Sequence, residues 1–248
     1  MNVLLLPGLM CNEVSFQPLY DHWAGRGVRT LCADYGDADS IVMMAQRALA
    51  QAHSAWGTEP FAIVGHSMGG RVAQEMVRKH LTATPPAITK AVFMSTGCTP
   101  VAADEVGKKE IAGRMNLLSI AQTQGVAAMA AEWVKPMVAP SRLSDQALVG
   151  SIVEMIASKT AARFEQQLRA LITRADTSSV LAALKLPTLL VCSEFDGWAN
   201  VAQHEAMLAL CTSHHPPARL AVVAGAGHML TMESPAATAK VLLDFLAA

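Results

Sequence analysis

The chain has 248 residues, of which 52% are apolar and 16% are charged, so it can bury a large core and is not a disordered chain. Its formal net charge of −1 provides no basic surface for nucleic acid or for an anionic membrane, and we expect neither as a partner. The length fits one large α/β domain with an insertion.

The N-terminus and the cysteines bear on the compartment in which the protein works. The apolar run within residues 1–6 has no basic segment and is followed directly by Pro7-Gly8, so it is too short for an export signal, and we do not interpret it as one. No run approaches the roughly 18 apolar residues that a membrane-spanning helix needs. The five cysteines are widely spaced without a Cys-x-x-Cys pair, which is typical of buried side chains in a reducing compartment. We therefore predict a cytoplasmic protein without a metal ion or cofactor.

Short apolar runs alternate with helical patterns along much of the chain, which is typical of a parallel sheet with helices on both faces. The predicted strands are residues 3–6, 29–33, 61–64, 91–95, 187–192 and 220–223. Predicted helices in these parts include residues 40–53, 201–210 and 235–246. Ser40 is expected to cap the first of these helices. We predict an α/β fold with a mostly parallel sheet of about six strands.

The alternation stops between residues 100 and 183. This segment has no clear strand pattern and consists of helical patterns at residues 105–123, 125–135, 144–158 and 160–173. We interpret residues 100–183 as a helical cap inserted into a core domain of residues 1–99 and 184–248.

Gly65-His66-Ser67-Met68-Gly69 lies between a predicted strand and a helical stretch. The pattern G-x-S-x-G at such a junction is typical of a nucleophile elbow. Glycines permit the close backbone approach of this turn, and the strained conformation lifts the serine hydroxyl off the sheet. Ser67 is therefore the predicted nucleophile.

A serine hydroxyl needs a base within hydrogen-bond reach, and that base needs a carboxylate to hold its tautomer. His228 and Asp196 each follow a predicted strand, at the sheet edge where α/β proteins place their chemistry. The chain order Ser, Asp, His is that of hydrolases with this architecture. We predict His228 as the base and Asp196 as its partner. Glu194 competes with Asp196 from two residues away, but the loop position favours Asp196.

Backbone N–H groups near the nucleophile would stabilise negative charge on the substrate oxygen. The N–H of Met68 follows the nucleophile directly and is one predicted donor to this oxyanion hole. Gly8 lets the loop after the first strand turn, so the N–H of Leu9 is the second predicted donor.

The other histidines receive no chemical role from their sequence context. His66 is expected to pack against its neighbours rather than react. The remaining six histidines are predicted to lie on the solvated surface: His22, His53, His80, His204, His214 and His215.

Asp176 also receives a structural rather than a chemical role, because it is expected to cap a helix over residues 177–184.

These motifs resemble those of α/β-hydrolase-fold enzymes, and the resemblance extends from residue 3 to the last predicted helix. Within that superfamily the chain is similar to bacterial carboxylesterases and 3-oxoadipate enol-lactonases, with Arg174-Ala175-Asp176 and Glu233-Ser234-Pro235 as supporting motifs. Three features depart from the usual pattern. Pro7-Gly8 replaces His-Gly, the first strand corresponds to the third of most members, and Met229 replaces the Trp of many C–C bond hydrolases.

Bulky apolar residues of the cap and the catalytic loops are candidates for a substrate pocket. We expect more than half of these to be core residues, and Trp133, Trp198 and Met229 are the predicted pocket residues. The full set is Met115, Leu117, Leu118, Met129, Trp133, Met137, Met155, Trp198 and Met229. Four cap arginines are expected on a solvated face rather than beside an acidic substrate: Arg114, Arg142, Arg163 and Arg169.

The sequence predicts a serine hydrolase that cleaves a carboxylic ester, thioester or lactone of a small to medium apolar substrate through an acyl-enzyme. An alternative is a cofactor-free lyase or oxygenase, or a C–C bond hydrolase, that uses the same His228–Asp196 pair. A non-catalytic ligand receptor is a third interpretation. Dehalogenases and epoxide hydrolases of this fold carry Asp at the elbow, so Ser67 argues against them. No oligomeric state is predicted.

Overall fold

A computed structural model describes residues 1–81, 87–211 and 217–248. In these ranges six strands form one sheet in the order β2-β1-β3-β4-β5-β6, and every neighbouring pair is parallel. The predicted fold class is therefore confirmed. The strands are β1 (Asn2–Leu6), β2 (Arg29–Cys32), β3 (Phe61–His66), β4 (Ile88–Met94), β5 (Thr188–Ser193) and β6 (Arg219–Val223).

Helices connect the strands. Those outside the segment between β4 and β5 are α1 (Gln17–Trp23), α2 (Ile41–Trp56), α3 (Met68–His80), α9 (Val201–Leu210), α10 (Leu230–Glu233) and α11 (Pro235–Ala247). Ser40 caps α2 as predicted, because its side chain accepts the N–H of Met43. A 3₁₀ helix at Glu13–Ser15 and helices α1 and α10 were not expected from the sequence.

The segment between β4 and β5 is fully described and contains no strand. Its helices are α4 (Glu105–Thr123), α5 (Val126–Trp133), α6 (Gln146–Ala157), α7 (Ala161–Ile172) and α8 (Ser178–Ala183), with a 3₁₀ helix at Pro140–Arg142. Helix α4 packs against α5 and α7, whereas α8 packs against α3 and α9. Asp176 lies two residues before α8, and its carboxylate accepts the N–H of Ser178.

Alternating side chains of the strands enter two apolar cores, one on each face of the sheet. On one face, Val3 and Leu5 pack with Trp23 of α1 and Phe245 of α11. The opposite face carries α2 and α3 and shares its core with the helices between β4 and β5. The sheet is thus covered on both sides, and its carboxyl edge faces those helices. No helix in the described ranges is long and apolar enough to cross a bilayer.

Candidate active site

Ser67 lies in the turn between β3 and α3 and has a φ of 55°, a conformation that residues other than glycine seldom adopt. The two glycines around it are sterically required. A Cβ on Gly65 would overlap the backbone of Gly69, and a Cβ on Gly69 would overlap the carbonyl group of Leu6. The sharp turn therefore depends on both glycines and presents the Ser67 side chain at the carboxyl end of the central strands.

Ser67, His228 and Asp196 form one hydrogen-bonded chain. His228 Nδ1 lies 2.8 Å from Asp196 Oδ2, and His228 Nε2 lies 2.9 Å from Ser67 Oγ. Since the ionised carboxylate only accepts hydrogen bonds, Nδ1 carries the proton, and the lone pair on Nε2 accepts the Ser67 hydroxyl. This is the tautomer that lets an imidazole remove the proton of a hydroxyl group.

Asp196 is 3% exposed and is held in the ionised form. Burial alone would raise its pKa, but His228 and the backbone N–H groups of Ala199 and Trp198 more than offset this effect. Both N–H groups lie 2.9 Å from Asp196 Oδ1. The pKa of Asp196 is therefore well below its usual range. The competing Glu194 is exposed and accepts the Gly225 N–H instead.

His66 forms a hydrogen bond with the backbone of His228. Its Nε2 donates to the carbonyl oxygen of His228 across 2.8 Å, because a carbonyl oxygen can only accept. Burial, followed by the proximity of His228, lowers the pKa of His66 to about 3, so the ring is neutral. The structure thus agrees with the expectation that His66 packs rather than reacts, and it adds a contact to the backbone of His228.

The prediction of a surface position for His204 is wrong. This residue is 0% exposed on the inner face of α9, where its Nδ1 donates to the Asn200 carbonyl and its Nε2 accepts the Thr96 N–H. A helix that packs along the sheet buries one face, and His204 lies on that face. His22 and His53 are exposed as predicted. The side chain of His80 and all of His214 and His215 lie outside the described residues.

The two predicted oxyanion donors lie beside Ser67. Leu9 and Met68 both line the cavity above it, and Gly8 approaches the Ser67 side chain closely. Within the described ranges, neither the Leu9 nor the Met68 N–H donates a hydrogen bond to the protein. The next amide, that of Met10, donates instead to Gln167 Oε1 of α7 across 2.8 Å. Gln167 therefore fixes this loop, a role that the sequence did not indicate.

The buried carboxylate of Glu233 organises the loop that carries His228. It accepts the N–H groups of Gly227 at 2.9 Å, Met229 at 3.1 Å and Ala139 at 2.7 Å. The first two flank His228, whereas Ala139 belongs to the segment between β4 and β5. In the sequence Glu233 is recognisable only as part of a family motif, and nothing there indicates its role as a bridge.

A cavity of about 770 Å³ opens above Ser67 and His228. Trp133, Trp198 and Met229 all line it, and the ring centroids of Trp198 and His228 are 4.9 Å apart. The other apolar candidates divide between two environments. Leu117 and Met137 also line the cavity. In contrast, Met115 is exposed, and three residues lie in the core: Leu118, Met129 and Met155.

The cavity lining also includes charged groups whose position the sequence did not indicate. Arg114 was expected on a solvated face, but it lines the cavity and pairs with Glu110, since α4 turns this side inward. Arg71 and Arg174 line the cavity as well. Arg71 lies four residues after Ser67, and this helical spacing could have identified it. No cluster of three His, Cys, Asp or Glu side chains suited to a metal ion occurs among the described residues.

The other three arginines of the segment between β4 and β5 lie away from the cavity lining. Arg142 is partly buried, because it pairs with Asp145 and donates to the backbone carbonyl of Glu233, so its predicted solvated position is only partly correct. Arg163 is likewise half-buried, whereas Arg169 is exposed as predicted.

Comparison with known proteins identifies the architecture. A family model described as "Alpha/beta hydrolase family" matches residues 3–241. No curated protein sequence matches the chain. Among solved structures, an esterase from Thermogutta terrifontis has a TM-score of 0.85 at 19% identity, over 100% of this chain and 89% of that one.

Two further solved structures share the fold at similarly low identity. A bromoperoxidase from Bacillus anthracis has a TM-score of 0.83 at 17% identity and covers 100% of this chain and 92% of its own. The enol-lactonase from Burkholderia xenovorans LB400 has a TM-score of 0.81 at 17% identity, with coverages of 100% and 91%. Identities this low establish a common fold and leave the chemistry to be argued from the side chains.

Proposed function

The chain belongs to the alpha/beta hydrolase family, and on that premise we propose that it is a serine hydrolase. Ser67 is the nucleophile, His228 the general base, and Asp196 the carboxylate that orients His228. The single observation that carries this proposal is the continuous hydrogen-bonded chain from Asp196 through His228 to Ser67.

The reaction follows from this geometry. As Ser67 Oγ attacks the substrate carbonyl carbon, His228 Nε2 takes the hydroxyl proton, and the N–H groups of Leu9 and Met68 stabilise the resulting oxyanion. The C–O or C–S bond to the leaving group then breaks, and His228 returns its proton to that group. A water molecule, deprotonated by His228, attacks the acyl-enzyme and releases a carboxylic acid and free Ser67.

The substrate bond that we propose is a carboxylic ester, thioester or lactone with a small to medium apolar part. The cavity volume and the tryptophans Trp133 and Trp198 support this size and polarity. We also propose that residues 100–183 act as a cap over a core of residues 1–99 and 184–248, since Leu117 and Trp133 line the cavity together with Ser67. The five free cysteines support a reducing, cytoplasmic compartment.

Replacement of the nucleophile tests the proposal. We expect Ser67→Ala to lower kcat for 4-nitrophenyl acetate and butyrate by at least about 10³-fold, because no acyl-enzyme can form. The matched control is Ser179→Ala, an exposed serine of α8 that should keep wild-type turnover. Mass spectrometry of the wild-type enzyme quenched during turnover should detect an acyl group on Ser67.

Two outcomes would contradict the proposal in different ways. Full turnover by Ser67→Ala together with loss of turnover by His228→Gln would favour the alternative chemistry, in which His228 and Asp196 abstract a proton without an acyl-enzyme. Unchanged turnover in both variants would show that the activity arises elsewhere.

A further inference from the structure

We propose that the substrate carries its own carboxylate, and that this group pairs with Arg71 at one side of the cavity. The inference rests on the proposed hydrolase function and specifies its substrate class. The substrate is then an ester, thioester or lactone that bears a free carboxylate a short distance from the bond that is cleaved.

The position of Arg71 links it to the proposed nucleophile. It lies in α3, one helical turn after Ser67, so the two residues are separated by about 6 Å along the helix axis and share a face. Arg71 is 8% exposed and lines the same cavity as Ser67. A ligand in this cavity can therefore reach the guanidinium and the hydroxyl at the same time.

Arg71 has no carboxylate partner within ion-pair distance in the described part of the chain. Its Nη1 donates to the neutral carbonyl oxygen of Thr99 across 2.7 Å. Glu110 acts on its charge only from beyond ion-pair distance, since that carboxylate pairs with Arg114 and Arg174. Asp176 is close enough for Arg71 to contribute to its lowered pKa, but this carboxylate is exposed and bonded to Ser178. A buried guanidinium without an ion-pair partner is costly, so an anion in the cavity would be stabilised there.

The charged side chains around Arg71 also carry more positive than negative charge. Arg174 and Arg114 line the cavity too, and both pair with Glu110, at 2.7 Å and 3.0 Å. One carboxylate therefore serves two guanidiniums, and Arg71 adds a third positive charge. The remaining charged groups of the lining, Lys109 and Glu132, are exposed and of opposite sign.

Arg71 and Arg174 also lie side by side. The Nε of Arg174 donates to the same Thr99 carbonyl as Arg71, across 3.2 Å. Burial, and then repulsion from Arg174, lower the pKa of Arg71 to about 9, although it remains protonated at neutral pH. If Arg71 served only to donate a hydrogen bond to the Thr99 carbonyl, a neutral donor would be sufficient. A planar cation held in this unfavourable position is instead suited to bidentate pairing with a carboxylate.

Matched substrate pairs test the proposal on the acyl side and on the leaving-group side. The first pair is mono-(4-nitrophenyl) glutarate and 4-nitrophenyl valerate, which differ by a terminal carboxylate. The second pair is 4-acetoxybenzoate and its methyl ester. We expect kcat/KM to favour the charged member of one pair by about tenfold or more, and the preferred pair identifies which part of the substrate carries the carboxylate.

Variants assign this preference to Arg71. Arg71→Met should lower kcat/KM for the preferred charged ester by about 10- to 100-fold and change that for its neutral counterpart by less than about threefold. Arg71→Lys should lose less, because it keeps the charge but not the planar fork. Arg78→Met is the matched control on the same helix, since Arg78 pairs with Glu75 and does not line the cavity.

Two results would overturn the proposal: no preference within either pair, or an equal loss for charged and neutral esters in a folded Arg71→Met protein. A binding measurement keeps the test separate from catalysis and from folding of the variant. Calorimetry should detect glutarate binding to Ser67→Ala protein, weaker or absent binding of the neutral diamide, and loss of glutarate binding when Arg71→Met is added. Equal binding of glutarate and the diamide would also overturn the proposal, whether or not Ser67 is the nucleophile.

Discussion

His66 lies within the turn that carries Ser67 and faces the backbone of His228. Its buried ring can donate to the His228 carbonyl only from Nε2, and its Nδ1 has no partner within the ranges that the structure covers. A protonated ring would place a positive charge in a fully buried position beside His228, and both the burial and this neighbour disfavour that charge. This environment explains why its pKa is lowered to about 3.

The lowered pKa of His66 makes stability depend on pH. Between its folded value of about 3 and the ordinary value of about 6.5, the unfolded chain binds a proton that the folded chain does not. Stability should therefore fall as pH falls through this range, by up to about 1.4 kcal/mol per pH unit from this residue. We expect His66→Gln, measured by urea unfolding at pH 4.5, 5.5 and 7, to show a shallower dependence.

His53→Gln is the control for this prediction, because His53 is an exposed histidine of α2. Its pH dependence of unfolding should match that of the wild-type protein. An unchanged slope in His66→Gln would contradict the assignment of a neutral, buried imidazole.

At the residue scale, local pattern was enough to propose Ser67, His228 and Asp196, because each follows a strand and the elbow glycines have a steric purpose. Residues whose roles depend on a distant partner were not found. Gln167 contacts Met10 from 157 positions away, and no property of either side chain alone indicates that pairing. The helical spacing of Arg71 from Ser67 is visible in the sequence, but its lack of an ion-pair partner is visible only in the folded molecule.

At the scale of elements, α7 is joined to the loop after β1 through a single buried hydrogen bond. Gln167 Oε1 accepts the N–H of Met10, whose φ of 60° places it in the left-handed region. Without this acceptor the strained loop would lose one of the hydrogen bonds that hold it, and the N–H of Leu9 could turn away from Ser67. Gln167 thereby positions a proposed oxyanion donor, although it is not among the residues that line the cavity.

We expect Gln167→Leu to lower kcat by about 10- to 100-fold with little change in KM, because the oxyanion donor becomes misaligned. Gln167→Glu should retain much of the activity, since a carboxylate oxygen can accept the same N–H. Kinetics with 4-nitrophenyl butyrate provide the measurement. The control is Gln166→Leu, which changes the adjacent residue of α7, and equal kinetics for the two leucine variants would contradict the positioning role.

Element boundaries show where sequence patterns lose information. β4 begins at Ile88, whereas the sequence pattern predicted a start at residue 91. The charged Lys90 lies within this strand and interrupts the apolar run by which the strand was recognised. In the structure its Nζ donates to the carbonyl groups of Phe245 and Leu246 at the end of α11. Helix α1 has seven residues, too few for a helical period to emerge, and it is held by packing against α11.

At the scale of the whole molecule, Glu233 connects the segment between β4 and β5 to the loop of His228. Its carboxylate oxygens accept backbone N–H groups from both parts, and Arg142 of the same segment donates to its carbonyl oxygen. The two regions are therefore joined directly above the sheet, where a change in one would alter the other.

Glu233→Gln tests this connection, because an amide has one oxygen that can accept hydrogen bonds whereas the carboxylate has two. At least one buried N–H group would lose its acceptor, at a cost of about 1–3 kcal/mol, and Tm should fall by about 3–10 °C. Differential scanning calorimetry is the measurement. Glu194→Gln alters an exposed carboxylate that accepts one N–H and should shift Tm by less than about 2 °C. Equal shifts would argue against the bridge.

The overall architecture followed from the sequence because a parallel sheet gathers the carboxyl ends of its strands at one edge. That rule brings residues after β3, β5 and β6 together without knowledge of any contact. It says nothing about how helices α4 to α7 lie over that edge. The cavity shape and its surplus of guanidinium groups arise from that packing, and they therefore emerged only from the three-dimensional arrangement.

The bond between Ser67 and His228 joins residues 161 positions apart, and His228 follows β6, which pairs only with β5 among the strands described. During synthesis the turn around Ser67 leaves the ribosome long before its proposed base, His228, has been made. Closing so long a stretch of chain is slow and entropically demanding. On the proposed mechanism, a nascent or truncated polypeptide therefore lacks the general base beside Ser67, and hydrolysis requires the last strand to have joined the sheet.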